Sequence, residues 1–188
     1  GLAWGVDYTV VSQPTGNVGQ TAFVQVVDGV WRAAQVDTGP RMQAIDLFTA
    51  DRGMAVGMSG AIYRYDGRLW TAMFSPTRQE LTDVVLVSEG EGWAVGERAT
   101  VLRWDGRGWD IEDLPIEGSR LTAVAVSAPR RPWVTSLGGQ ILHFDGESWS
   151  VADAPRLERG ADIEFARSNY GMAVGSNVLL YDGRWRQI

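Results

Sequence analysis

The 188-residue chain contains no cysteine and no lysine, a single histidine and only three asparagines. Without cysteine there are no disulfides, no thiol nucleophile and no thiolate metal site. With His143 alone, neither a His-ligated zinc centre nor a Ser-His-Asp triad with a second base can be assembled. Lysine-free, asparagine-poor composition fits a GC-rich genome or a hot habitat, and all 17 basic residues are arginine. No apolar run approaches the roughly 18 residues of a membrane span, and no basic, apolar, small-residue leader stands at the first residues. A net charge of −6 argues against general phosphate binding, so no nucleic-acid partner is expected. No segment shows a 3.6-residue apolar period, which removes helical folds from consideration.

What the chain has in abundance is repetition. Asp-Gly recurs at Asp28, Asp66, Asp105, Asp145 and Asp182, at spacings of 38, 39, 40 and 37 residues. A tryptophan follows each, at Trp31, Trp70, Trp109, Trp149 and Trp185. Upstream stands a second string: GMAVG at 53–57, GWAVG at 92–96, PWVTS at 132–136 and GMAVG at 171–175, with AWGV at 3–6 as a fifth copy. One unit reads as four short strands: LTDVVLV (81–87), GWAVGE (92–97), TVLRWDG (100–106) and GWDIED (108–113). Four strands in about 39 residues, repeated, predict an all-β propeller of about five blades of four antiparallel strands. The single domain 1–188 divides into units of approximately 1–35, 36–75, 76–114, 115–154 and 155–188. The third strand of each unit is apolar on both faces, as suits a sheet stacked between sheets. The five aspartates are read as turn formers whose carboxylates accept backbone N–H groups, with glycine supplying a positive φ and tryptophan packing between blades. No metal or cofactor is called for.

These strings resemble bacterial Asp-box (BNR-type) propeller repeats. They are most similar to those of the photosystem II stability and assembly factor family and its non-photosynthetic relatives. The resemblance covers nearly the whole chain and is specific for fold rather than for activity. Here Gly follows Asp directly and the usual Thr before Trp is missing. The family has seven blades, whereas this chain has material for five. The resemblance implies a non-enzymatic scaffold that holds a protein partner on one face, and an arginine-rich face for that purpose. An extracytoplasmic location (secreted, periplasmic or cell-surface) is the matching expectation.

Unit one begins at its second strand, so its innermost strand is absent, and closing the ring would need a strand from elsewhere. The edge at residues 3–7 is therefore expected to be covered by a segment of a longer chain outside these residues, by strand addition from a partner or by self-association with a second copy. Residues 7–22 (DYTVVSQPTGNVGQTA) read as an extended loop. Aligning the units places Arg41, Glu80, Arg120 and Arg159 just before each innermost strand, with Arg78 close by. These arginines predict a rim that binds carboxylate, phosphate or an acidic segment. Deeper in the same strands stand Asp46, Asp83, Asp162 and Glu164. They mark the alternative reading, a glycan-binding lectin or a five-bladed glycosidase using channel carboxylates. His143 reads as structural.

Overall fold

The computed structural model describes residues 4–188 apart from 14, 15, 29 and 38. The chain forms five antiparallel sheets in sequence order. The first contains β1 (Trp4–Gln13), β2 (Gly16–Val27) and β3 (Val30–Asp37). The second contains β4 (Met42–Thr49), β5 (Arg52–Gly57), β6 (Ile62–Tyr65) and β7 (Trp70–Ala72). The third contains β8 (Leu81–Ser88), β9 (Glu91–Gly96), β10 (Val101–Trp104) and β11 (Trp109–Glu112). The fourth contains β12 (Leu121–Ala128), β13 (Arg131–Ser136), β14 (Ile141–Phe144) and β15 (Trp149–Val151). The fifth contains β16 (Asp162–Arg167), β17 (Tyr170–Val174), β18 (Val178–Tyr181) and β19 (Trp185–Gln187). The expected β-propeller architecture is observed, with the first blade one strand short. No helix among the described residues is long and apolar enough to cross a membrane.

The repeated Gly-x-Ala-Val-Gly string owes its two glycines to close backbone approach. A Cβ on Gly53 would stand 2.7 Å from Leu47 Cγ, and one on Gly171 would stand 2.6 Å from Phe165 Cδ1. At the string's other end, a Cβ on Gly57 or Gly96 would lie 2.2 or 2.1 Å from the carbonyl oxygen of Arg41 or Glu80. The second strands β5, β9 and β13 are buried at every position after their first residue. That burial on both faces comes from stacking each sheet between two others.

One packing device repeats at every sheet-to-sheet boundary. The residue after the string's first position projects from the second strand into an aromatic pair of the next sheet. Trp4 meets Tyr65 and Trp70, at ring separations of 4.8 and 5.7 Å. Met54 joins a cluster with Trp104 and Trp109. Trp93 meets Phe144 and Trp149 at 5.7 and 5.8 Å. Trp133 meets Tyr181 and Trp185 at 5.2 and 5.7 Å. In each aromatic pair, one member precedes the Asp of the Asp-Gly turn and the other is the tryptophan after it. Three of these contacts are edge-on, and the indole N–H groups of Trp4, Trp70, Trp93, Trp109, Trp149 and Trp185 are buried with no hydrogen-bond acceptor among the described residues.

The turns divide into two kinds. Asp66, Asp105 and Asp145 each accept two backbone N–H groups through Oδ1, for example Arg68 N at 2.9 Å and Leu69 N at 3.0 Å. Those bonds hold all three carboxyls below the usual carboxylate range. Asp28 and Asp182 sit in turns one residue shorter and accept no such pair among the described residues. Asp28 itself takes a φ of +53°, and Asp182 receives Arg186 Nε at 3.2 Å. His143 stacks on Trp133 at 4.7 Å, and burial lowers its pKa, in keeping with a structural role.

The expected loop over 7–22 is a correction. β1 and β2 pair continuously from Trp4↔Gln25 to Gln13↔Gly16, so the insertion is the outer half of a long hairpin. Its Gly, Thr and Asn content suggested a loop, yet only Pro14 and Thr15 separate the strands, and these lie outside the described residues. Of the edge at 3–7, Ala3 lies outside them too, while Trp4 onward pairs with β2 alone. The sheets pack in sequence, and no strand of the first sheet makes extended contact with any strand of the fifth among the described residues.

Candidate functional site

The first strands β4, β8, β12 and β16 pack side by side and form the channel wall. Each is entered from a connection that ends on one rim. The rim positions can be aligned by a shared bond. Met58 N donates to Arg41 O, Glu97 N to Glu80 O and Leu137 N to Arg120 O, each at 2.9 Å, and Ser176 N donates to Glu158 O at 2.6 Å. The structure therefore places Arg41, Glu80, Arg120 and Glu158 at equivalent backbone positions. Arg159 stands one residue later, exposed, with a φ of +51°. The aligned rim alternates in charge rather than presenting a ring of arginines.

Those charges engage one another. Arg120 reaches Glu97 through Nη1 and Glu80 through Nη2 at 3.5 Å, and Gln43 Nε2 donates to the same Glu80 oxygen at 2.9 Å. Arg78 is exposed on the connection into β8, apart from that network. Beside the charges stand apolar side chains that sequence alignment did not single out. Met58 and Leu137 are the residues whose N–H groups close on the rim carbonyls, and they are 43% and 52% exposed. The same turn carries Ser59, Arg98 and Ala99 in left-handed backbone.

The channel carboxylates have a different and more regular arrangement. Asp46 accepts Leu47 N through Oδ1 at 2.9 Å and Leu86 N, on the next inner strand, through Oδ2 at 2.6 Å. Asp83 repeats the geometry with Val84 N at 2.9 Å and Val124 N at 2.8 Å. Each thus staples its strand to the next. Burial is the main cause raising the Asp46 pKa, and it pushes Asp83 up to about 6, with the Asp162 and Asp46 charges adding to the rise and the two N–H bonds opposing it. Asp162 accepts Ile163 N at 2.8 Å and is exposed, as is Glu164. Glu164 borders a cavity of about 280 Å3 whose other walls are apolar, among them Val85, Val124 and Val126. Asp46 and Asp83 each commit both oxygens to backbone donors, a poor arrangement for an acid and a base that must exchange protons with substrate. No group of three or more His, Asp or Glu converges as a metal site among the described residues.

No family model and no curated protein matches the sequence. Solved structures do match in fold. YCF48 bound to D1 peptide superposes with a TM-score of 0.67 at 21% identity, over 96% of this chain and 66% of that one. Sqt1 of Saccharomyces cerevisiae gives 0.68 at 11% identity, over 96% and 57%. Virginiamycin B lyase of Staphylococcus aureus gives 0.77 at 10% identity, over 100% and 74%. The chain thus spans just under two thirds of the first of these and less of the second. All three similarities concern the propeller fold. They join a protein seen with a bound peptide and an enzyme on one architecture.

Proposed function

We propose that this chain is a non-enzymatic binding propeller that holds a protein segment on its rim face. The observation that carries the reading is the mixed rim: exposed Met58 and Leu137 at equivalent positions, set among Arg41, Arg78, Arg120, Glu80 and Glu97. Apolar side chains interleaved with charges of both signs suit a peptide, whose apolar residues anchor and whose charges fix register. The peptide seen on YCF48, a protein of the same fold, supports the reading. So does the engagement of Asp46 and Asp83 by backbone donors, which counts against the glycosidase alternative. An extracytoplasmic setting of the Asp-box type belongs to the same proposal.

The test is a library of immobilised 15-residue peptides probed with the chain and with a variant carrying Arg41→Glu, Met58→Asp and Leu137→Asp. All three are surface changes, so the fold is retained. Binding that falls about tenfold or more in the variant is the expected result, given what anchors of this kind contribute. Peptide binding that survives the triple change removes the rim from the account. Binding confined to a glycan array favours a lectin, and turnover abolished by Glu164→Gln favours an enzyme.

A further inference from the structure

The hairpin of the first sheet outreaches its blade. Trp4 is equivalent to Met54, so Asp7 is equivalent to Gly57, where the second sheet's innermost strand begins its pairing at Met42↔Gly57. The third and fourth sheets keep the same limit, at Leu81↔Gly96 and Leu121↔Ser136. β1 continues past that limit over residues 8–13, so the outer edge of this stretch lies beyond the reach of any innermost strand of this repeat. On the other side, β3 leaves β2 at Thr21↔Asp37. Residues 8–13 and 16–20 therefore form a ribbon of two strands alone past the rim end of the blade. Among the described residues, β1 makes extended contact with β2 and β4 only.

A two-stranded ribbon is marginal in water, and three or more strands are needed to hold one. This ribbon also lacks the devices that keep an edge from pairing. Residues 8–27 are a run of 20 without a charged side chain, in a chain that is 21% charged. No proline interrupts β1, and its ten pairs with β2 run without a bulge. The two edges are not equal. Tyr8, Thr9, Val10 and Val11 favour strand on β1, whereas Gly16 and Gly19 weaken the matching stretch of β2.

We infer that residues 9–13 of β1 pair with the same residues of a second copy, antiparallel about a two-fold axis at Val11, giving a four-stranded sheet in the order β2–β1–β1–β2. The occupant follows from charge. An uncharged edge gives a charged segment nothing to fix its register, whereas its own copy meets it without setting like charges opposite each other. The register follows from geometry. Outward N–H and C=O groups recur at every second residue, so a two-fold antiparallel pair must set one residue against its own copy. Centring on Val11 sets Val10 opposite Ser12 and Thr9 opposite Gln13, and leaves Asp7 outside the ladder. The Asp7 residues of the two copies then stand about eight positions apart along the ladder, about 27 Å. That exceeds the Debye length of about 8 Å, so two bodies of charge −6 repel little. The inference concerns the arm and is independent of the rim.

Sedimentation of the intact chain from about 1 to about 100 μM is expected to show a reversible dimer that persists in about 1 M salt. Val11→Lys sets two ammonium groups against each other on the axis and should raise the dissociation constant about fivefold or more. Gln20→Lys, on β2, should leave it unchanged, and so should the triple rim variant Arg41→Glu, Met58→Asp, Leu137→Asp. Circular dichroism and the urea midpoint of the dilute proteins should not move in Val11→Lys, because the arm lies outside the blades. The chain has no cysteine of its own. Val11→Cys should therefore give a covalent dimer under a thiol oxidant, and Gln20→Cys should give much less. A chain that stays monomeric throughout this range overturns the inference. So does a dimer that survives Val11→Lys, one that Gln20→Lys breaks equally, or one in which Gln20→Cys crosslinks as readily as Val11→Cys.

Discussion

Asp83→Asn is expected to flatten the pH dependence of stability. The Asp83 carboxyl titrates near 6 in the folded chain against about 3.8 for an ordinary aspartate. Between those values the folded state binds more protons than the unfolded state. The stability this group contributes is therefore fully present below about pH 3.8 and is lost as pH rises through about 6. At about 1.4 kcal/mol per pH unit, the loss comes to about 3 kcal/mol. Asp46 moves in the same direction, so a slope remains in the variant. The turn carboxyls of Asp66, Asp105 and Asp145 move the other way and act below about 3.8, outside this window. The substituted amide keeps a single acceptor oxygen for the N–H groups of Val84 and Val124, which costs about 1–3 kcal/mol at pH 4. By pH 7 the wild type has lost its advantage, and the two proteins converge or change order. Urea unfolding at half-unit steps from pH 4 to 7.5 measures the difference directly. A wild-type-minus-variant difference that stays constant across that range refutes the reasoning.

Five further substitutions have expected outcomes. Ala99→Gly should raise the melting temperature, because Ala99 holds a φ of +58° where the equivalent residues are Gly60 and Gly139, and left-handed backbone costs a non-glycine residue about 1 kcal/mol. Gly60→Ala should do the reverse and by more, since its Cβ would stand 2.2 Å from Thr77 O. Trp133→Ala should cost about 3–5 kcal/mol by chemical denaturation, the range for a large buried aromatic, whereas Trp31→Ala should cost under about 1 kcal/mol. Arg120→Met should leave Glu80 and Glu97 without their shared cation at the rim and lower stability by about 1 kcal/mol or less, with the difference shrinking in high salt.

The repeat was legible because its period, its glycines and its tryptophans each answer a local requirement: close approach, positive φ, an aromatic socket. Strand order within a blade followed from the same period. The long hairpin of β1 and β2 was not legible, because Gly16, Asn17 and Gly19 suggest loop when strand partners are unknown. Arg159 stood at the rim in alignment, yet left-handed backbone at that residue hands its place to Glu158, and nothing in the local sequence marks such a turn. Asp46 and Asp83 were found by position as channel carboxylates, but the groups that hold them were not. Their partners are backbone N–H groups 40 and 41 residues away, and a backbone donor leaves no trace in residue identity. Met58 and Leu137 were passed over because an apolar residue after a strand reads as core until exposure is known.

Because each sheet leans on the next through one projecting side chain, the molecule has a mechanical grain. Tension applied between the chain ends loads the boundaries in series. A pulled chain should therefore peel from its bare-faced ends, one unit at a time, each releasing about 39 residues and roughly 130 Å of extended chain. The boundaries differ in grip. Between sheets three and four a buried tryptophan and the Asp83 staple act together, whereas between four and five Ala123 and Ala125 occupy the places a staple would take. The fifth unit is then the first to part, and the pair formed by units three and four is the last piece to hold.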